Sequence, residues 1–294
     1  MRTIEAEAIL KLTVSLAEGP MWLSSTGEIS WVEPFGGNLH IFDPIRRSDR
    51  VINVGPYVGS AAPDNLGGFV LAVKQGFARV TVSGEIESLA DFVEQGVRLN
   101  DGKCAPDGAF WAGTMGENRE PAAGSLYRLS SAGLVTKHLT GVTVSNGMAW
   151  DVEGRHFFYI DSPTRKIDCF DVDPTTHELS NRSTFIEIQE GWGNPDGMAI
   201  DDDGCIWVAL WGGGRVVRYS PNGVPNRVVE LPVKYPTSCC FGGPDGKDLY
   251  ITSAPPGFNP ANPRELIFGE IIFHCRPGVS GPPPVPYTYK EISL

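Results

Sequence analysis

The chain has 294 residues and a net charge of −11, with 35 acidic against 24 basic side chains; this balance excludes a surface that wraps nucleic acid or coats anionic membranes, since both rely on clustered basic groups. No run of 18 apolar residues occurs, and the N-terminal MRTIEAEAILKLTVSLAEGP carries acids early without a continuous apolar segment, so neither a membrane span nor a signal peptide is expected and a cytoplasmic location follows. The six cysteines, Cys104, Cys169, Cys205, Cys239, Cys240 and Cys275, are scattered apart from one adjacent pair; reduced, mostly buried thiols are expected, and the lack of CxxC, HExxH or paired-histidine patterns argues against a zinc finger or a histidine-rich zinc site.

In chain order, the segment from about Ile4 to Leu16 is predicted to pair with the last strands after Ile271, because such closure removes two exposed sheet edges. A short pattern then returns six times, a glycine followed by strand formers and a small or polar stop: GEISWVEP from Gly27, GGFVLAVK from Gly67, GAFWAGTM from Gly108, GRHFFYID from Gly154, GCIWVALW from Gly204 and GKDLYITS from Gly246. Successive glycines stand about 40 to 50 residues apart, the period of a four-stranded propeller blade. Later strands such as LHIFDP at Leu39 and IDCFDVDPTT at Ile167 read as the outer hairpins of the blades. Turn signals punctuate these runs and long helical periodicity is absent, so the expected fold is all-β, a six-bladed β-propeller spanning 1–294 as a single domain. The longest irregular stretch, PGFNPANPRELIFG from Pro256 to Gly269, reads either as a lid over one face or as a plain surface loop.

The repeat also supplies a phase. Counting back eight or nine residues from each glycine reaches Glu18, Gly59, Asn100, Asn146, Asp196 and Ser238. If this position lies at the axial end of an inner strand, its side chains converge. SNGMAW and PDGMAID are near copies of each other, which makes Asn146 and Asp196 equivalent positions. With Glu18 they form two carboxylates and one amide, an oxygen-donor set that suits calcium, magnesium or manganese and does not exclude iron(II) or zinc. The third blade offers RLNDGKCAPDG, where Arg98 and Asn100 suit sugar hydroxyls or a carboxylate. Lys103 is read as a turn residue in a surface ion pair, whereas the role of Asp101 stays open.

The strings AEGPMW, RLNDGK followed by GTM, SNGMAW, YIDSP, FDVDP, PDGMAID and TSCCFGG, from about residue 18 to 253, resemble the SMP-30, gluconolactonase and regucalcin-like family of six-bladed propellers. The resemblance implies a central divalent metal held by Glu18, Asn146 and Asp196, with Arg98 and Asn100 contacting substrate. It also implies hydrolysis of a small-molecule sugar lactone to the aldonic acid. Many members carry an acidic pair after GTM where this chain has Gly116, Glu117 and Asn118. Asn118 keeps hydrogen-bonding ability at that substrate-binding place without the charge.

The expected reaction has the metal polarising the lactone carbonyl, Asp196 acting as general base on water, and Arg98 with Asn100 orienting the ring. No Gly-x-Ser-x-Gly elbow is present, and Ser238 has no histidine in phase, so a serine esterase is disfavoured. A phosphotriesterase or aryl-lactonase on a similar calcium propeller is the nearest enzymatic alternative, with Trp192, Trp211 and Phe258 as its supports. A non-catalytic calcium-binding scaffold is the alternative from another class. The lactone, the metal and the oligomeric state are not specified by these residues.

Overall fold

The computed structural model describes residues 1–290. Alternating strands and tight turns build six sheets, each of four strands except one with five. The first strands of the sheets are Glu18–Leu23, Val58–Pro63, Val97–Cys104, Ser145–Trp150, Asn194–Ile200 and Pro236–Gly242. Each packs against the first strands of both neighbouring sheets, so the six inner strands close a ring. This is the six-bladed propeller that the repeat predicts.

The repeat glycines have a common physical reason. Gly27, Gly67, Gly108, Gly154, Gly204 and Gly246 all lie in the turn between first and second strands, with φ between 67° and 85°. That left-handed region is open to glycine without steric penalty.

Hydrophobic clusters fill the wedges between neighbouring blades. Ile160, Ile167, Met198 and Val208 fill the wedge between blades four and five, and Trp207, Phe241, Ile251 and Phe273 that between five and six. The tryptophans of the repeat, Trp31, Trp111 and Trp207, are fully buried in second strands. All six cysteines are free, five of them buried and Cys169 partly so.

Closure follows the expectation for most of the N-terminal segment. Glu7–Val14 pairs antiparallel with Ile267–Cys275 as the outer strand of blade six. Ile4 and Glu5 depart from it: Arg2–Glu5 instead runs parallel to Pro225–Glu230 as a fifth strand on blade five. The break follows from Ala6, which packs with Ile4 against the cluster between blades five and six and carries the chain from one sheet edge to the other. The partner strand in blade six also begins at Ile267, earlier than Ile271, and takes in the last residues of the irregular stretch.

After blade six the chain crosses one face of the ring. Gly281 donates to Gly246 O at 3.0 Å, Tyr287 to Pro63 O at 2.8 Å and Thr288 to Gly108 O at 2.9 Å. Tyr287 is buried beneath the ring and its hydroxyl donates to Ser130 O at 2.9 Å. These contacts gather at the turns that end the inner strands, which leaves the face at the strand starts for a site. Among the described residues no helix is long and apolar enough to cross a membrane.

Candidate functional site

The backbone irregularity of the inner strands places the site. In every blade the register between first and second strands slips once: between Glu18 and Met21, Val58 and Ser60, Leu99 and Gly102, Ser145 and Met148, Pro195 and Met198, and Pro236 and Ser238. A bulge of this kind leaves one residue unpaired and re-aims its side chain. Gly59, Asn100, Asn146 and Asp196 sit within these slips and Glu18 borders the first. In blade six the place belongs to Thr237 rather than Ser238, because the slip there spans one residue and the count from Gly246 lands on its successor.

Close approach of neighbouring inner strands accounts for the glycines that follow Asn146 and Asp196. A Cβ on Gly147 would stand 2.5 Å from the Asp196 carbonyl oxygen, and one on Gly197 would stand 2.1 Å from Ser238 Oγ. The shared NG and DG of the two near-copy strings are therefore packing requirements around the axis.

A chain of hydrogen bonds fixes the polar groups. Arg98 Nη1 donates to the Tyr57 hydroxyl and, at 2.6 Å, to Asn100 Oδ1. Asn100 Nδ2 donates to Ser145 O at 2.8 Å and to Asn146 Oδ1 at 3.0 Å. Asn146 Nδ2 donates to Ser162 Oγ at 2.7 Å, and that hydroxyl donates to Pro195 O at 2.6 Å. Each amide is thereby locked with its nitrogen toward one neighbour and its oxygen toward the other. The Asn146 oxygen accepts one bond here and retains a second acceptor position.

Electrostatics mark the axis as a place that lacks positive charge. Burial pushes the Glu18 carboxyl up to about 8, helped by the nearby Asp101 and opposed by the Gly19 N–H, Arg98 and the Thr237 hydroxyl. Burial likewise raises Asp196 well above the usual carboxylate range, followed by repulsion from Glu18 and Asp101, with Arg119 opposing. Asp101 is raised by burial and lowered by Lys103 and the Gly102 N–H. A cation between Glu18 and Asp196 would offset both the desolvation and the repulsion. Hard oxygen donors from two carboxylates and one amide fit a hard divalent ion. Among the described residues no cluster of three or more His, Cys, Asp or Glu is arranged for a metal; the set formed by Glu18, Asp196 and Asn146 is of different composition.

Above this floor opens a cavity of about 790 Å³ lined by Glu18, Arg98, Asn100, Asn118, Asn146 and Asp196, together with apolar and basic residues from the loops. The three expected metal ligands and the three expected substrate contacts therefore border one space. Asn118 stands at its exposed rim, where its Nδ2 donates to Glu120 Oε1 at 2.9 Å. Lys103 departs from its expected surface role: its Nζ reaches inward and donates to Met198 O at 2.5 Å, tying blade three to blade five. The bulge before Gly102 turns this strand toward the axis, so no local ion pair with Asp101 forms. The segment after Pro256 is a wall of the cavity, to which it contributes Phe258, Pro263 and Arg264. Phe258 is buried edge-on against Trp211 at 5.5 Å. Trp192 does not border the cavity; its ring lies 5.9 Å from the Arg215 guanidinium.

Several contributors escaped the phase argument. Tyr57, Arg119 and Arg264 lie on loops between or after strands, outside the phase position, and Ser162 opens a short 3₁₀ turn. Only Ser162 carried a signal, as part of YIDSP.

Comparison with known proteins gives a consistent grouping. The family model described as "SMP-30/Gluconolactonase/LRE-like region" matches residues 16–255. Regucalcin of Xenopus laevis is 37% identical over 268 residues, covering 88% of this chain and 90% of that one. A Bacillus subtilis protein provisionally named sugar lactone lactonase, YvrE, is 36% identical over 277 residues, covering 92% and 94%. Among solved structures, the calcium-binding protein regucalcin of Agrobacterium tumefaciens superposes with a TM-score of 0.88 at 26% identity, covering 98% of this chain and 99% of that one.

Proposed function

This chain belongs to the SMP-30/gluconolactonase/LRE-like family, and from that premise we propose that it hydrolyses a sugar lactone, such as glucono-, xylono- or arabinonolactone, to the aldonic acid with one divalent metal ion. The observation that carries this reading is the junction of Glu18, Asn146 and Asp196 with the Arg98 and Asn100 relay at the floor of one cavity. Glu18, Asn146 and Asp196 would hold the ion, whether calcium, zinc, manganese, magnesium or iron(II). When bound, such an ion polarises an ester carbonyl and stabilises developing negative charge on its oxygen.

The chain's own residues supply the rest. Asp196, buried at the cavity wall beside the place for the ion, takes a proton from water on its free oxygen as the water oxygen bonds to the lactone carbonyl carbon. The ring carbon–oxygen bond then breaks, and the same proton passes to the departing ring oxygen, giving an open hydroxy acid. Arg98, held by Tyr57 and Asn100, presents donors that orient the ring. Asn100 positions the Asn146 oxygen and leaves one acceptor place of its own. Asn118, with its amide nitrogen tied to Glu120, leaves its oxygen for a substrate hydroxyl.

Acid release from glucono-, xylono- and arabinonolactone, measured with and without chelator, tests this reading. Chelator-sensitive release supports it. Metal binding without hydrolysis of any lactone would instead favour a calcium-binding scaffold. An aryl-lactonase or phosphotriesterase reading draws support from Trp211 and Phe258 in the cavity wall; turnover of an aryl lactone or an organophosphate in preference to aldonolactones would favour it.

A further inference from the structure

The arginines of the cavity lack the carboxylate partners that several blade arginines have. Acids outnumber bases 35 to 24 in this chain, and several arginines on the blades take carboxylate partners: Arg79 with Asp64 at 2.6 Å, Arg182 with Asp168 at 2.7 Å, Arg218 with Asp201 at 2.7 Å, while Arg165 and Arg227 donate to backbone carbonyls. Arg98, Arg119 and Arg264 all line the cavity. Among the described residues none of the three has a carboxylate within 4.0 Å. Arg98 is part-buried and donates only to neutral oxygens, those of Tyr57, Leu99 and Asn100.

The three guanidiniums also share one space while coming from different parts of the chain. Arg98 and Arg264 lie 5.9 and 5.1 Å from the centre of the same Phe35 ring. Burial holds the Tyr57 hydroxyl above its ordinary range, and both arginines are near enough to oppose that shift. Arg119 acts on Asp196 from the loop after blade three's second strand and holds a left-handed φ of 62°, a conformation uncommon for a side chain of this size. The remaining rim charges, Lys74 and Glu117, satisfy each other at 3.4 Å. With a cation offsetting Glu18 and Asp196, the cavity carries surplus positive charge in groups whose planar donors match carboxylate and phosphate oxygens.

Resting on the lactonase reading, we propose that the preferred lactone carries an anionic group, a carboxylate or a phosphate, remote from its ring carbonyl, and that Arg264 and Arg119 at the rim hold it. The neutral aldonolactones are then secondary substrates. Guanidinium pairing with an anion falls away when the planar charge is removed, survives partly as a point charge in lysine, and weakens with salt.

The test compares kcat/KM for glucaro-1,4-lactone, 6-phosphogluconolactone and glucono-lactone on the metal-loaded protein, together with calorimetric binding of glucarate, 6-phosphogluconate and gluconate to chelator-treated protein. At least one acidic lactone is expected to exceed the neutral one by about tenfold or more, chiefly through KM, the size of one charge-assisted contact; which of the two exceeds it assigns carboxylate or phosphate. Arg264→Gln is expected to reduce that ratio by about tenfold and Arg264→Lys to restore part of it. Equal kcat/KM for acidic and neutral lactones overturns the proposal and leaves the lactonase reading standing. If no lactone is hydrolysed, the lactonase reading fails, and the calorimetry decides: tighter binding of an acidic sugar acid, lost in Arg264→Gln, retains the anion site, while equal affinities dismiss it.

Discussion

Asn100 donates its side-chain N–H to the Asn146 side-chain oxygen at 3.0 Å, so the inner strands of blades three and four meet through one amide-to-amide bond. Because Arg98 holds the other end of Asn100 at 2.6 Å, the residue that would orient the lactone and the residue that would hold the metal are set by the same contact. Asn100→Ala is expected to weaken divalent-ion affinity and to lower kcat/KM by about tenfold or more, the equivalent of one to three kcal/mol for unpaired buried partners. Ion affinity and steady-state rates of the variant check this. Unchanged values in both would detach Asn100 from the site.

Asp196→Asn separates the base from the ligand. The variant keeps an oxygen donor but cannot take a proton, so kcat is expected to fall by about 10²- to 10⁴-fold while metal analysis still finds an ion bound. Near wild-type turnover with metal present would eliminate Asp196 as the base.

The two acids also predict a pH dependence. Glu18 titrates near 8 in the folded metal-free protein against 4.5 ordinarily, and Asp196 is raised in the same direction. The folded chain therefore binds more protons than the unfolded chain between those values. Their contribution to stability is fully present below the ordinary carboxylate range and is lost as pH rises through about 8. Denaturation midpoints in chelator are expected to fall from about pH 5 to about pH 8, to recover with added divalent metal, and metal binding near neutrality should release protons. A midpoint in chelator that rises across the interval contradicts this.

Gly147→Ala tests the packing of the axis. Its Cβ would stand 2.5 Å from the Asp196 carbonyl oxygen and 2.9 Å from Ile160 Cδ1, so a loss of about 1 to 3 kcal/mol is expected from overpacking. Because the strain falls on the Asp196 strand, activity should drop together with stability in urea unfolding. A variant of parental stability would show that the inner strands can separate.

How much of this was readable beforehand depends on the kind of constraint. Gly27 and its five counterparts expose the blade period because a left-handed turn restricts residue choice at one place per copy. That period brings Asn146 and Asp196 into correspondence, and the cavity includes both. Thr237 was missed in favour of Ser238 because a bulge shifts facing by one residue without a residue signature of its own. Lys103 was misread because its partner, Met198 O, lies 95 positions away along the chain. Arg119 and Arg264 belong to loops that carry no repeat, so only the folded ring shows that they face one cavity. The crossing of Arg2–Glu5 to blade five was likewise hidden, since a parallel edge pairing leaves no local pattern.

The most direct test of the account is acid release from an aldonolactone by the purified protein, followed in parallel with excess divalent metal and with chelator. The account predicts steady release with metal, loss of release in chelator, and recovery when metal is restored. Release at the same rate in chelator, or none under any metal while the ion remains bound, would contradict it.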